Sequence, residues 1–237
     1  MNRPPCVVGI PIMNLHDFTA RVVDDLDELD ELVIYDHGSD DPASVEWLAE
    51  IELREKVTVD RRAAIPEESL YRSWNDTSRR ALATFDGPEV DVVLLNNDVR
   101  LPPGFIGFLT RALRSGDPRV LITYPDSKVS LDRGLPNEIQ LTPTKGLEAE
   151  GGLSGWAFAL KAESFRAHVP FIDERLRLCS GDRDLVHNVE IRGNYAARVD
   201  GLPAKHAHGE TRKKRPELRE QQRRDVELWW GELKGQD

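Results

Sequence analysis

Cysteine is scarce in this chain, and several other features are missing altogether. With only Cys6 and Cys179 among 237 residues, no disulfide framework or zinc cluster is expected, and a reducing cytoplasm is the default compartment. No apolar run approaches the roughly 18 residues of a membrane-spanning helix, and the N-terminus shows no signal-peptide pattern. The formal charge of −10 argues against a surface built for nucleic acid or anionic membranes.

What is present is a regular alternation of short apolar runs and amphipathic stretches. We predict strands at 6–12, 31–36, 56–60, 90–96 and 119–125, and helices at 17–29, 42–54, 69–85 and 102–116. This β-α-β order is typical of a parallel sheet covered by helices on both faces. A composition of 39% hydrophobic and 31% charged residues fits one large α/β domain, or one domain with an appendage.

The alternation fails after Pro125. Residues 126–152 indicate a long loop or an irregular β segment. Beyond it we predict a strand that turns into a short helix at 155–168, a helix at 182–193, a last strand at 194–203 and a charged helix at 216–235. The final helix carries Val226, Leu228, Trp229 and Trp230, which favour packing against the domain or against a twin subunit, as in a homodimer.

The segment VDVVLLNNDVRLPPGF at 90–105 places polar side chains directly after a predicted buried strand. Asn96, Asn97 and Asp98 follow the apolar run, at the sheet edge where open α/β sheets bind ligands. A carboxylate at that edge can hold a divalent cation, and the cation can hold a diphosphate. Taken alone, the segment slightly favours a plain polar turn.

Further polar groups fall at or near other predicted strand and helix ends. They are Asp36 after the second strand, Asp182 and Asp184 at the start of a helix, and His206 and His208 after the last strand. Each one alone favours a helix cap or an exposed loop. Their joint placement favours a common site.

Several of these segments resemble motifs of glycosyltransferase family 2, which has the GT-A fold, over about residues 6 to 211. VIYDHGSDD resembles V-V-D-D-G-S-x-D, which implies that Asp36 contacts the nucleotide base, with His37 in place of the second Asp. NDTSRRA resembles N-x-G-x-x-x-A, with Asn75 and Ala81 at the expected spacing and Thr77 in place of Gly.

Three more segments extend the resemblance. LLNNDVRLPPGF resembles L-L-D-x-D-x-x-x-x-P-x-x-L, which puts Asp98 in the metal position and Asn96 in place of the first Asp, as in rhamnosyltransferase-like members. LCSGDRDL resembles the family's E-D-x-D-L, which makes Asp182 the catalytic base and leaves Gly181 where the family prefers Glu. HAHGET resembles H-x-x-G-x-T/S, which favours His206 over His208 as a metal or diphosphate ligand.

The resemblance implies an α/β fold of the GT-A (Rossmann-like) type, with a mixed, mainly parallel sheet flanked by helices and a C-terminal helical extension. Its nucleotide-sugar-binding half would be 1–125, its acceptor and catalytic half 126–211, and its basic helical tail 212–237. The nucleotide-sugar-binding residues so implied are Pro11, Asn14, Asp36, Asn75, Asn96, Asn97 and Arg212. Trp156 and Asp184 are assigned to the acceptor, and Asp98, His206 and His208 to the metal.

The implied activity is inverting, metal-dependent transfer of a sugar from a nucleotide-diphosphate sugar to an acceptor hydroxyl. Mn²⁺ or Mg²⁺ would neutralise the leaving diphosphate, and an imidazole beside a carboxylate fits Mn²⁺ somewhat better. The acceptor is open among a glycan, a protein, a lipid and a modified nucleobase. Two alternatives are a sugar-nucleotidyltransferase, which would need a Gly-rich phosphate loop near the N-terminus, and a catalytically degenerate protein that binds a nucleotide sugar or glycan.

Overall fold

A computed structural model describes residues 3–65, 67–144, 153, 155–166, 172–207 and 218–233. The strands in these ranges are β1 Cys6–Ile12, β2 Glu31–His37, β3 Val57–Arg62, β4 Asp91–Leu95, β5 Val99–Arg100, β6 Val120–Pro125, β7 Leu141–Pro143, β8 Ala157–Lys161, β9 Tyr195–Val199 and β10 Lys205–His206. The helices are α1 His16–Asp24, α2 Pro42–Ile51, α3 Leu70–Thr84, α4 Phe105–Ser115, α5 Gly181–Glu190 and α6 Leu218–Leu228. Single turns of other helix types lie at Leu131–Arg133, Ala162–Phe165 and Trp229–Leu233.

Eight strands form one sheet in the order β3-β2-β1-β4-β8-β6-β9-β7. Strands β3, β2, β1 and β4 run parallel, as do β6 and β9, whereas β8 lies antiparallel between β4 and β6. The predicted mixed, mainly parallel α/β architecture is therefore confirmed. Because β1, β2 and β4 are parallel, the residues that follow them meet at one edge of the sheet.

The predicted helix at 17–29 is wrong in its second half, since α1 ends at Asp24. The acidic residues beyond it accept hydrogen bonds from backbone N–H groups of other segments: Asp25 from Leu101 at 3.3 Å, Asp27 from Gly104 at 2.6 Å. Asp side chains compete in this way with the helical ladder, which favours a loop.

Helices cover both faces of the sheet, as the apolar runs predict. Two apolar clusters fill the space between the layers, and β1 contributes to both because its side chains alternate: Val8 and Ile10 face one cluster, Val7 the other. Helix α3 packs very closely on β1, where a Cβ at Gly9 would clash with the Thr77 side chain. Gly9 thus supplies the space that Thr77 occupies.

Helix α6 and the turn that follows it pack against the domain, one of the two arrangements that the apolar residues of the tail favour. Trp229 is fully buried in the cluster that also holds Leu185 and Val189 of α5, whereas Trp230 is 42% exposed. No helix of the described ranges is both long and apolar enough to cross a membrane.

Candidate functional site

A cavity of about 340 Å³ opens at the sheet edge where β1, β2 and β4 end. The residues that line it are Pro11, Ile12, Met13, His37, Ile65, Leu70, Tyr71, Trp74, Asn96, Asn97, Asp98, Gly155, Trp156, Leu178, Cys179, Ser180, Asp182, His206 and Gln222. Six of the sequence-predicted site residues among the described positions beyond β1 are in this set: Asn96, Asn97, Asp98, Trp156, Asp182 and His206. Pro11, at the end of β1, lines the cavity as well.

Asp98 and His206 lie in direct contact although 108 positions of sequence separate them. Strands β5 and β10 form a two-stranded antiparallel ribbon that pairs Val99 with His206. His206 Nε2 is 2.8 Å from Asp98 Oδ1, and both side chains are largely buried. Asn96 Nδ2 approaches the same imidazole nitrogen at 3.4 Å. The ribbon therefore assembles a carboxylate, an imidazole and an amide on the cavity wall.

Trp156 packs against the His206 side of this pair. Its ring stacks on the His206 imidazole with 5.5 Å between centroids and an angle of 8°. The residue is 7% exposed and also lines the cavity, so one face of the ring positions the histidine. Trp156 is therefore at once a packed aromatic and part of the site.

Asp182 enters the cavity from the first turn of α5. Its Oδ2 accepts a hydrogen bond from Gly155 N–H at 3.2 Å, and its Oδ1 accepts one from Arg183 N–H at 3.0 Å. Burial raises the pKa of the Asp182 carboxyl above its usual value, although these two backbone donors oppose the shift. A carboxylate with a raised pKa is a stronger proton acceptor than an exposed one.

Two glycines near Asp182 leave space for aromatic side chains of α3. A Cβ at Gly155 would lie 2.6 Å from Trp74 Cη2, and a Cβ at Gly181 would lie 2.5 Å from Tyr71 Cζ. The Tyr71 ring thus occupies the space that any side chain at 181 would need. Burial raises the pKa of the Tyr71 hydroxyl, and the nearby negative charge of Asp182 is the second cause of the shift. The hydroxyl therefore stays protonated.

His37 lies on the cavity wall at the end of β2 and is fully buried. Its Nε2 is 2.7 Å from Ser73 Oγ. Burial lowers the pKa of this imidazole to about 4, and the positive charge of Arg62 is the second cause of the shift. His37 is therefore neutral near pH 7. The motif that this segment resembles has an aspartate at this position, whereas this chain carries an uncharged side chain.

Three residues predicted to bind the nucleotide sugar do not line the cavity. Their side chains instead form hydrogen bonds within the protein. Asn14 binds the 40–41 backbone, with both N–H groups 3.0 Å from its Oδ1. Asp36 accepts from Ser39 N–H at 2.9 Å. Asn75 is fully buried and holds the backbone of Ile172, donating to its carbonyl at 2.9 Å. These short polar side chains stabilise loops around the site.

Asp184 points away from Asp182. Its Oδ2 accepts from Asp173 N–H at 2.8 Å, and it lines a separate cavity of about 610 Å³ on the other side of α5. Residues two positions apart on an α-helix are rotated by about 200° around its axis, which explains why Asp182 and Asp184 face different cavities. Asp184 is therefore not brought together with Asp182, and its acceptor-side role stays a prediction. His208 and Arg212 lie outside the described residues.

The donor set at Asp98 fits an open metal site rather than a closed one. In the ranges described, no group of three or more His, Cys, Asp or Glu side chains is arranged to hold a metal ion. Asp98 Oδ1 and His206 Nε2 lie 2.8 Å apart beside the cavity, and this oxygen and nitrogen are atoms that could bind a metal ion. Two protein ligands leave the remaining coordination positions to water and to a phosphate-bearing ligand.

Several residues that line the cavity are not predicted as site residues from the sequence. Tyr71 and Trp74 are three residues apart on α3, a spacing that indicates one helix face but is equally typical of core. Their edge-to-face contact has centroids 4.9 Å apart. Gln222 reaches the cavity from α6 and carries no local signal at all.

Comparisons with solved structures agree with this architecture. The chain is similar to GalNAc-T7, solved with UDP, GalNAc and Mn²⁺, at a TM-score of 0.65 and 17% identity over 98% of this chain and 49% of that one. It is also similar to the mannosyltransferase PcManGT from Pyrobaculum calidifontis, solved with GDP-Man and Mn²⁺, at a TM-score of 0.59 and 17% identity over 89% of this chain and 59% of that one. Glucosyl-3-phosphoglycerate synthase from Mycobacterium tuberculosis, solved with Mn²⁺, UDP and glucosyl-3-phosphoglycerate, is similar at a TM-score of 0.58 and 19% identity over 94% of this chain and 77% of that one.

The chain has the GT-A fold. At identities this low the likeness establishes the fold alone, and the bound ligands are those of the other proteins. This chain spans about half to three fifths of the length of several of its structural neighbours, 49% of GalNAc-T7 and 59% of PcManGT. No protein-family description matches the sequence, and no curated protein matches it either.

Proposed function

We propose that this protein is an inverting glycosyltransferase that moves a sugar from a nucleotide-diphosphate sugar to an acceptor hydroxyl. The observation that carries the proposal is the single cavity, at the binding edge of a GT-A sheet, that receives Asp98, His206 and Asp182. These residues come from three separate stretches of the chain.

Asp182 is the proposed general base. Its burial raises the pKa of the carboxyl, and two backbone N–H groups hold its orientation. It would take the proton of the acceptor hydroxyl as that oxygen attacks the anomeric carbon and the bond to the diphosphate breaks. A positioned base contributes about 10²–10⁴-fold to such a step.

Asp98 and His206 would hold Mn²⁺ or Mg²⁺. When bound, the cation supplies a Lewis acid that neutralises the departing diphosphate. Trp156 keeps the His206 ring in its plane, and Asn96 adds a polar contact to the same nitrogen. These residues prepare an electrostatic site that is charged and largely buried before a ligand arrives.

Similar structures solved with UDP or GDP-Man together with Mn²⁺ support the donor class and the metal. The alternative of a sugar-nucleotidyltransferase has less support, because the turn between β1 and α1, at 13–15, contains no glycine and no basic residue. Binding without turnover is an outcome that the following experiment identifies.

The test is nucleoside diphosphate release by the purified chain from a panel of UDP-, GDP- and dTDP-sugars with Mn²⁺. Asp182→Asn should lower turnover about 10²–10⁴-fold and leave nucleotide–Mn²⁺ affinity within about threefold, because the base acts only in the chemical step. Asp184→Asn is the matched control, since it makes the same change two residues along α5 but faces another cavity.

Release that is lost in Asp184→Asn and kept in Asp182→Asn would contradict the assignment of the base. No release from any donor, together with tight nucleotide binding by the wild-type protein, would replace the enzyme with a binding protein.

A further inference from the structure

Helix α6 presents one continuous stripe to the domain. The residues of the stripe recur at helical spacing and continue into the turn that follows: Leu218, Gln222, Asp225, Trp229 and Leu233. Leu218 is 1% exposed and packs with Met13 and Ile65, both of which line the cavity. Gln222 lines the cavity itself. The terminal helix is therefore a wall of the site.

Asp225 is the charged member of the stripe, and it is 1% exposed. Its Oδ2 accepts hydrogen bonds from three consecutive backbone N–H groups: Arg177 at 3.1 Å, Leu178 at 2.6 Å and Cys179 at 2.7 Å. Its Oδ1 accepts one from Gln221 Nε2 at 2.7 Å. Charge-assisted hydrogen bonds of this kind are stronger than neutral ones.

The backbone held by Asp225 leads directly into Asp182. Cys179 is followed by Ser180, which caps α5 in a left-handed conformation with φ 69°, and Asp182 lies in the first turn of that helix. A non-glycine residue in this conformation needs support from its surroundings. Asp225 provides it by fixing the residues immediately before the cap.

Two further contacts from the same terminal segment flank this region. Arg175 forms an ion pair with Glu232 at 3.0 Å, and the Arg183 guanidinium lies 5.8 Å from the Trp229 ring centroid. One contact precedes Asp182 and the other follows it. The segment that carries the proposed base is thus bound on both sides by the turn that follows α6.

We propose that Asp225 is a positioning residue for glycosyl transfer, which fixes the 177–179 backbone so that Asp182 is held in the cavity. This inference rests on the proposed function of Asp182. Under this proposal, α6 contributes to the turnover rate and not to the stability of the protein alone.

The test substitutes Asp225→Asn, which keeps the volume and removes the charge. Turnover should fall about 10- to 100-fold, because a displacement near 1 Å costs an enzyme about 10² in rate. Nucleotide–Mn²⁺ affinity should stay within about threefold, since Asp98 and His206 are held by the β5–β10 ribbon whereas Asp225 holds the 177–179 backbone. Glu227→Gln is the matched control: the same helix, an exposed face, and a carboxylate whose ion pair is with Arg223 only among the contacts described here.

A second measurement does not depend on activity. Amide hydrogen exchange at 177–179 should be slow in the wild-type chain and at least tenfold faster in Asp225→Asn, with no change in Glu227→Gln. If Asp225→Asn does not fold, Gln221→Leu removes only the donor to Oδ1 and should give the same changes at smaller size, about two- to tenfold.

The outcomes separate the two proposals. An active wild-type protein with unchanged turnover in Asp225→Asn overturns the inference and leaves the function intact. A lower melting temperature with normal turnover below it has the same meaning, because a merely structural residue behaves in that way. A wild-type protein without turnover on any donor overturns the function, and exchange at 177–179 then decides by itself whether Asp225 fixes this segment.

Discussion

The close approach of Tyr71 to Gly181 makes Gly181→Ala the sharpest test of the site's construction. An added Cβ would lie 2.5 Å from Tyr71 Cζ and closer still to two other ring carbons, whereas carbon contacts are optimal at about 3.5–4.0 Å. The ring has little room to withdraw, because it packs edge to face on Trp74 at 4.9 Å, and Trp74 packs on Phe158 at 5.0 Å.

The magnitude follows from two opposing terms. Overpacking of a buried site costs about 1–3 kcal/mol. Gly→Ala at a position with ordinary backbone angles stabilises by about 0.4–1 kcal/mol, because the unfolded chain loses freedom. We therefore expect Gly181→Ala to lower the free energy of unfolding by about 1–2 kcal/mol. Turnover should fall as well, since Asp182 is the next residue.

The assay is urea unfolding followed by tryptophan fluorescence, beside nucleoside diphosphate release. Gly231→Ala is the matched control, because a Cβ there meets nothing within 4 Å and should leave stability equal or slightly higher. In a Tyr71→Leu background the cost of Gly181→Ala should shrink by about 1 kcal/mol or more, as expected for residues in contact. Equal or greater stability of Gly181→Ala in both backgrounds would refute the steric reasoning.

Three further predictions concern the imidazole, the metal ligand and the helix packing. As pH falls from about 6.5 to about 4, the unfolded chain binds a proton that buried His37 does not, so wild-type stability should fall by up to about 3 kcal/mol more than that of His37→Gln over pH 7 to 4. Parallel unfolding curves for the two proteins against pH would contradict this. Asp98→Ala should weaken Mn²⁺-dependent nucleotide binding at least tenfold, measured by calorimetry, and an unchanged Mn²⁺ dependence would remove Asp98 from the metal site. Gly9→Ala should destabilise by about 1–3 kcal/mol because its Cβ meets Thr77, and Thr77→Gly should restore part of that loss.

Much of the fold of residues 1–125 is predictable from local pattern. Buried parallel strands appear as short apolar runs, and the residues that follow them must share one sheet edge, which predicts the position of Asp98 beside the cavity at that edge. Local pattern does not reveal the distant partners of other polar residues. Asn14 and Asn75 have the residue types of ligands, yet their amides hold backbone of the 40–41 segment and Ile172.

Two positions that differ from the motifs that this sequence resembles are explained by their spatial neighbours. Thr77 stands where a glycine is expected, and Gly9 on the adjacent strand supplies the space. Gly181 stands where a glutamate is expected, and the Tyr71 ring fills its place. Each pair is far apart in sequence, so neither partner signals the other without the fold.

The sequence by itself determined the α/β class, the order of its elements and the sheet edge at which chemistry can occur, because hydrophobic periodicity and strand ends are local properties. Only the tertiary structure decided that the β5–β10 ribbon brings His206 to Asp98, that Asp182 and not Asp184 enters the cavity, and that Asp225 supports the segment before Asp182. These contacts join residues tens of positions apart, and packing alone selects them.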